Sequence, residues 1–174
     1  FEFLNSKRNF IQKFNFNFRE IINYLNYYEK PYQQNNQHSF YQKRWEKPLP
    51  IIFRFIFTKL KIGKISIFRK IFKLLSSIFE LISGFPKTHV EIISDFSPDV
   101  IIGTPCNLRF SEEIDFIKYG KNKNIYTIIS VLSWDNLTTK GGFAITPDEF
   151  FAWNQTHKDE LMEFHNIDSE IIKI

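Results

Sequence analysis

The sequence predicts an α/β protein built on a parallel sheet and preceded by a basic helical region. Three observations predict it. After residue 98, short apolar β-branched runs alternate with segments of helical period, in the order strand, helix, strand, loop, strand, helix, strand. That is the order of parallel strands joined by crossovers. Before residue 88, apolar residues recur at three- and four-residue spacing over long stretches. Charge divides at the same place. Residues 1–87 hold 16 Lys+Arg against 5 Asp+Glu (net +11), and residues 88–174 hold 7 against 14 (net −7), within a total of +4. Such asymmetry speaks of partners rather than of fold. The expected division is a basic amphipathic helical region, 1–87, and an α/β region, 88–174, of the same domain.

A chain of 174 residues can bury one sizeable core. It begins with Phe1 rather than Met, so a fragment or processed product is expected. A single cysteine, Cys106, excludes an internal disulfide framework and points to a reducing compartment. No stretch reaches the ~18 uncharged apolar residues of a membrane span, and no cleavable signal peptide is recognisable. The heavy use of Phe, Ile, Lys and Asn reads first as AT-rich coding, so the 21 phenylalanines are not each a functional aromatic.

In chain order, residues 6 to 28 read as a helix, with Phe10, Phe14, Phe18, Ile21, Ile22 and Leu25 on one side and Ser6 as its cap. Gln33 to Ser39 is a polar break, and a second piece, Phe40 to Lys47, ends at Pro48 and Pro50. A helix over Ile51 to Leu60 ends near Gly63. The next carries Ile65, Phe68, Phe72, Leu75, Phe79 and Ile82, a stripe widened by Ile71, Leu74, Ile78 and Leu81, with Arg69, Lys70 and Lys73 around it. This is a strongly amphipathic basic helix, ended by Gly84 and Pro86. Two readings stand for it: a stripe turned to the core with a basic edge in solvent, or attachment to an anionic membrane surface. Zinc spacing, a helix-turn-helix and a base-stacking platform are all missing, so nucleic acid is not an expected partner.

Val90 to Phe96 reads as a short helix before the strand Val100 to Thr104. Pro105 to Arg109 is a loop. Ser111 is the expected cap of a helix running to Lys121, with Glu112 and Glu113 in its first turn. Ile125 to Leu132 is uncharged and β-branched, the pattern of a strand buried on both faces. Pro147-Asp148 turns into a strand over Glu149 to Trp153, Asn154 caps a helix from Gln155 to His165, and Asn166 ends it. Ile171 to Ile174 begins a fourth strand. There is no glycine-rich phosphate loop and no strand before residue 99, so both ends are expected to be cut.

The chemistry concentrates in Ser133-Trp134-Asp135-Asn136-Leu137-Thr138-Thr139-Lys140-Gly141-Gly142, just beyond the second strand. Polar groups leaving the carboxyl end of a parallel strand sit where open α/β sheets bind ligands. Asp135 is either a general base on an acceptor hydroxyl or an acceptor that holds the loop's shape. Asn136 serves either a sugar or the loop backbone, and Lys140 either a phosphate or solvent. Trp134 is expected to pack under the loop in preference to stacking on a ligand. Gly141 and Gly142 are expected to supply unusual backbone angles. Thr104, at the end of the neighbouring strand, is expected to face the same crevice. His38, His89 and His157 have no metal spacing, His165 reads as a helix-end residue, and Cys106 has no recognisable histidine partner. No bound cofactor or metal is expected.

The stretches Pro98 to Ile102, Ser133 to Gly141, Pro147-Asp148, Trp153-Asn154 and His165-Asn166-Ile167 together resemble a family of uncharacterised bacterial glycosyltransferase-like proteins of GT-B architecture, with an S-W-D-N-L-T-x-K-G loop. Asn166 stands where that family has glycine. Asn23 to Tyr27 is more loosely similar to its D-Y-L-R-Y helix. The resemblance implies a Rossmann-like sheet, here the N-terminal half of a GT-B architecture truncated at Ile174. It also implies transfer of a sugar from a nucleotide-sugar, held by a further C-terminal domain, to a glycan or lipid-linked acceptor. Asp135 would then be the catalytic or acceptor-positioning group, with Ser133, Trp134, Asn136, Thr138, Lys140 and Thr104 shaping the substrate site. Location would be cytoplasmic, peripheral on the inner membrane face, and the fragment alone would be inactive. Two alternatives stay open: transfer of a polyol phosphate by a related architecture, and a non-catalytic membrane-peripheral scaffold.

Overall fold

A computed structural model describes residues 7–34, 38–47 and 49–174. Ser6 and Pro48 lie outside the described residues. Four strands, β1 (Val100–Gly103), β2 (Tyr126–Ser130), β3 (Glu149–Phe151) and β4 (Ile172–Lys173), form one parallel sheet in the order β1-β2-β3-β4. The expected α/β class and its parallel sheet are thus present. Before the sheet come α1 (Phe10–Asn26), α2 (Lys30–Gln34), α3 (His38–Glu46), α4 (Ile51–Thr58), α5 (Ser66–Ile82) and α6 (Lys87–Phe96). The crossovers carry α7 (Glu113–Asn122), α8 (Asn136–Thr139) and α9 (Gln155–His165). Among the described residues, no helix is long and apolar enough to cross a membrane.

The strand order never reverses. Right-handed crossovers then place every connecting helix on one side of the sheet. Ile101, Gly103, Thr127, Ile129, Phe150 and Ile172 share that side, as the register shows. Gly103 lies under Ile117 of α7, and Gly120 of α7 lies on Ile101 and Thr127 with no room for a Cβ. The core there comprises Ile114, Ile117, Ile129, Leu137, Phe150 and Leu161. The opposite side carries Val100, Ile102, Tyr126 and Phe151, all exposed, with Ile102 at 59%. The centre of β2 is nevertheless buried on both faces, as expected, since Thr127, Ile128 and Ile129 are all buried. The expectation of a buried first strand is corrected, because Val100 and Ile102 of β1 are exposed.

Several local expectations change for physical reasons. Asn9 caps α1 in a reciprocal capping box with Gln12. Ser111 is not the cap of α7: Glu112 occupies that position without a side-chain cap bond, and the Ser111 hydroxyl donates to Glu113 Oε2 at 2.6 Å. Part of the polar break beginning at Gln33 is helical, since α2 reaches Gln34 and α3 starts at His38; residues 35–37 lie outside the described residues. Asn154 does cap α9, Asn166 ends it with φ 54°, and Gly84 takes φ 63° just beyond α5.

The helical region lies across the carboxyl ends of the strands. Its own core packs Phe18, Ile21, Tyr24 and Leu25 of α1 against Trp45 and Phe57, with Phe72 and Phe79 of α5 at its edge and Phe164 of α9 joining it. A buried ionic cluster ties this layer to the sheet layer. Arg19 of α1 donates to both Glu80 oxygens of α5 (2.6 and 2.9 Å) and to Asp115 of α7 (2.7 Å). Arg8 also donates to Asp115, and Lys118 of α7 pairs with Glu80 at 3.2 Å. Burial disfavours the charge on Glu80, yet Arg19 and Lys118 outweigh it and hold that carboxyl below its ordinary range.

Candidate functional site

The loop after β2 is organised by its own side chains. Asn136 is 2% exposed, and its Oδ1 accepts from the Ser133 amide (2.6 Å) and the Ser133 hydroxyl (2.8 Å). Asp135 accepts from the Ser133 hydroxyl (2.7 Å), the Thr139 hydroxyl (3.1 Å) and Lys140 Nζ (2.9 Å). Burial pushes its pKa up, but these bonds and the Lys140 charge outweigh it and bring the carboxyl to about 2. Asp135 is thus an ionised acceptor with three donors around it. Of the two readings open to Asn136, the geometry matches service to the loop.

Trp134 stands 75% exposed, so it does not pack under the loop as expected. The α8 turn points its indole outward while Asn136 and Leu137 turn in. Gly141 and Gly142 do not adopt positive φ. They are needed instead for close approach. A Cβ on Gly141 would stand 2.6 Å from the Asn23 side chain, and one on Gly142 would stand 2.8 Å from Asn26 Nδ2. Asn23 Oδ1 accepts from the Gly142 amide at 2.9 Å, which fixes α1 against the loop. Asn107, missed in the sequence, ties the loop from the other side by donating to the carbonyls of Asn136 (2.8 Å) and Gly141 (3.1 Å). Nothing in a loop sequence of mixed polarity distinguishes it.

Two connected hollows lie beside this loop. The larger, of about 620 Å³, runs between α5, the stretch 142–146 and the end of α9. Its polar lining comes from Lys73, Ser76 and Ser77 of α5 together with Lys121, Thr146 and His165. His165 Nε2–H donates to the Leu137 carbonyl at 2.8 Å, and its ring packs on Phe143. Burial lowers its pKa to about 4, so it is neutral near pH 7. It is a helix-end residue, as the sequence suggests, and also part of the cleft wall. The smaller hollow, of about 60 Å³, shares Ile22, Asn26, Ser76, Gly142, Phe143 and Ala144 with the larger and reaches inward to Arg19, Glu20 and Cys106.

Glu20 is a second group that sequence reasoning missed. It sits on α1 at 3% exposure, and one oxygen accepts from the Phe110 amide at 2.9 Å. Burial raises its pKa to about 7, against the opposing pull of that amide, Arg109, Asn23 and Arg19. A glutamate among Asn, Arg and Ile on an amphipathic helix looks like an ordinary polar-face residue. Its burial arises only because the loop after β1 folds over it. Cys106 beside it stays a neutral thiol, since burial pushes it up to about 12.

Ser133, Trp134, Asp135, Thr138 and Thr104 line neither hollow. Lys140 borders a separate shallow depression with Arg44, Trp45 and Arg109. The structure therefore brings the expected loop residues together with one another, while the cleft walls come from α1, α5 and residues 142–146. No group of His, Cys, Asp and Glu among the described residues forms a metal site. Compared with known proteins, the chain matches no family model, no curated protein and no solved structure.

Proposed function

We propose that this chain is the acceptor-side part of a membrane-peripheral transferase, which moves a sugar from a nucleotide-sugar to a hydroxyl of a membrane-linked glycan or lipid. One observation carries the membrane half of the reading. Ile67, Ile71, Leu74, Ile78 and Leu81, spaced four, three, four and three along α5, are all exposed, Leu74 at 63% and Leu81 at 83%. Only Phe72 and Phe79 of the stripe join the interior. Ile51, Ile52 and Phe55 of α4 are exposed as well. Lys59, Lys61, Lys64 and Lys70 of the same stretch are exposed, while Lys73 pairs with Glu29 at 3.0 Å. The one carboxylate of α5, Glu80, is buried in ion pairs. An apolar stripe rimmed by cations matches an anionic lipid surface in both polarity and charge.

The same helix lines the large cleft with Lys73, Ser76 and Ser77. An acceptor anchored in lipid thus has a path from α5's outer face to its inner one. The transferase half is supported by the parallel sheet and by the resemblance of the Ser133–Gly141 loop to the glycosyltransferase-like family. A second reading, a non-catalytic scaffold on the membrane, is favoured by the saturation of the Asp135 carboxylate with internal donors. Sedimentation with phosphatidylglycerol vesicles tests the reading. Binding is expected at low salt, to weaken at high salt, and to vanish in Leu74→Glu/Leu81→Glu with unchanged thermal stability. Equal recovery in the supernatant with and without vesicles removes it.

A further inference from the structure

Two side chains that line the inner end of the cleft each carry a buried polar atom without a hydrogen-bond partner. One is Glu20 Oε2, an acceptor, and the other is Arg19 Nη1, a donor. Both side chains line the small hollow, and both are more than nine-tenths buried. A buried polar group without a partner costs about 1–3 kcal/mol, so the pair marks a place made for something polar. The rest of the wall narrows the choice. Phe16, Ile114 and Phe143 are apolar, Cys106 is a neutral thiol, and Asn23 turns its Oδ1 to the Gly142 amide and its side-chain amide donor toward the Glu20 carboxyl. Arg19 is held charged by Glu80 and Asp115.

A single group that meets both atoms donates to a carboxylate and accepts from a guanidinium. A hydroxyl group does both with one oxygen. A carboxylate or phosphate would serve Arg19 but repel Glu20, and an ammonium would do the reverse. The volume, about 60 Å³, admits a hydroxyl with its carbon rather than a whole ring. The wider cleft beyond it, bordered by α5, has room for the remainder of such a molecule.

We propose that Arg19, Glu20 and the hollow around them form a hydroxyl-binding subsite at the inner end of the cleft, which takes an alcohol group of a sugar-bearing amphiphile. This rests on the acceptor reading above and names the chemistry of its innermost contact. The ionised carboxylate is the form that accepts the hydroxyl's hydrogen bond. The charged groups near it are Arg19 on its own helix and Arg109 on the loop after β1, and both carry fixed positive charge. Glu20 is thus the member of this subsite that changes protonation near pH 7, and it gates occupancy.

The test is titration of the chain with n-octyl β-D-glucoside below its micelle threshold, at pH 6 and pH 8. Isothermal calorimetry gives the affinity, and NMR follows Phe143 and the carbon-13-labelled Glu20 carboxyl. When only the ionised form binds, apparent affinity scales with its fraction. A midpoint near 7 then makes binding about tenfold tighter at pH 8. In Glu20→Gln that ratio falls to about one, while Phe143 still senses the probe. The Glu20 resonance of the wild type reports on the subsite even where the variant fails to fold. Binding seen at Phe143 with a silent Glu20 carboxyl, or with equal affinity at both pH values, overturns the subsite and leaves the acceptor reading standing. No binding at either pH overturns the acceptor reading and the subsite with it.

Discussion

Replacing Glu20 by Gln should stabilise this protein at pH 8. The carboxyl titrates near 7 in the fold and near 4.5 in a free chain. Between those values the folded state holds a proton that the unfolded state has lost. Stability from this group is complete below pH 4.5 and is lost as pH rises through about 7. A displacement of this size corresponds to about 3 kcal/mol. Gln keeps the shape and an oxygen for the Phe110 amide, but it has nothing to ionise. Urea denaturation of both proteins from pH 4 to pH 8.5 should give difference curves that start near zero and reach about 3 kcal/mol in favour of Glu20→Gln. For a chain of this length that is roughly 6–12 °C in Tm. The difference matters because histidines act in the opposite direction. His165, lowered to about 4, contributes stability above its free value of 6.5 that is lost as pH falls. Subtracting the two profiles cancels it. Parallel profiles across the whole range would refute the buried, proton-holding Glu20.

Three further outcomes follow from the geometry. Gly141→Ala places a methyl group 2.6 Å from Asn23, which is pinned by the Gly142 amide, and should cost about 1–3 kcal/mol in chemical denaturation. Asp115→Asn leaves Arg8 and Arg19 short of a buried counter-charge and should cost about 3–5 kcal/mol, read as a lowered denaturation midpoint with an unchanged slope. Asp135→Asn removes a carboxylate held at about 2. Solvent screening leaves it worth about 1 kcal/mol, present above pH 3.8 and lost as pH falls through about 2. Comparison of acid unfolding curves for wild type and variant measures it, and coincident curves would contradict the geometry around Lys140.

The sheet was legible because its strands are short, β-branched and spaced by helix-period segments, and all four appear within a few residues of where the pattern places them. The amphipathic α5 was legible as a helix, but its partner was not. Periodicity shows that a face is apolar, not whether Phe18 or solvent lies opposite it. The loop after β2 was legible as a polar concentration. Its direction was hidden, because Ser133, Asp135 and Asn136 satisfy one another and so turn their polarity inward. Glu20 and Asn107 were illegible for a related reason. Each is buried by a segment distant in sequence, and a single residue on a helix or loop carries no trace of that.

The contact of α1 with the loop also bears on how this sequence can drift. Asn23 fills the space that a side chain at 141 would need, and it supplies the oxygen that the amide of 142 requires. Asn23 stands more than a hundred residues before the two glycines in the chain, yet packing and hydrogen bonding couple the three positions. A larger residue at 141 or 142 is tolerated only together with a smaller one at 23 or 26, and the amide then needs a new acceptor. A change at Asn23, Gly141 or Gly142 that keeps this packing therefore calls for a compensating change at another of these positions.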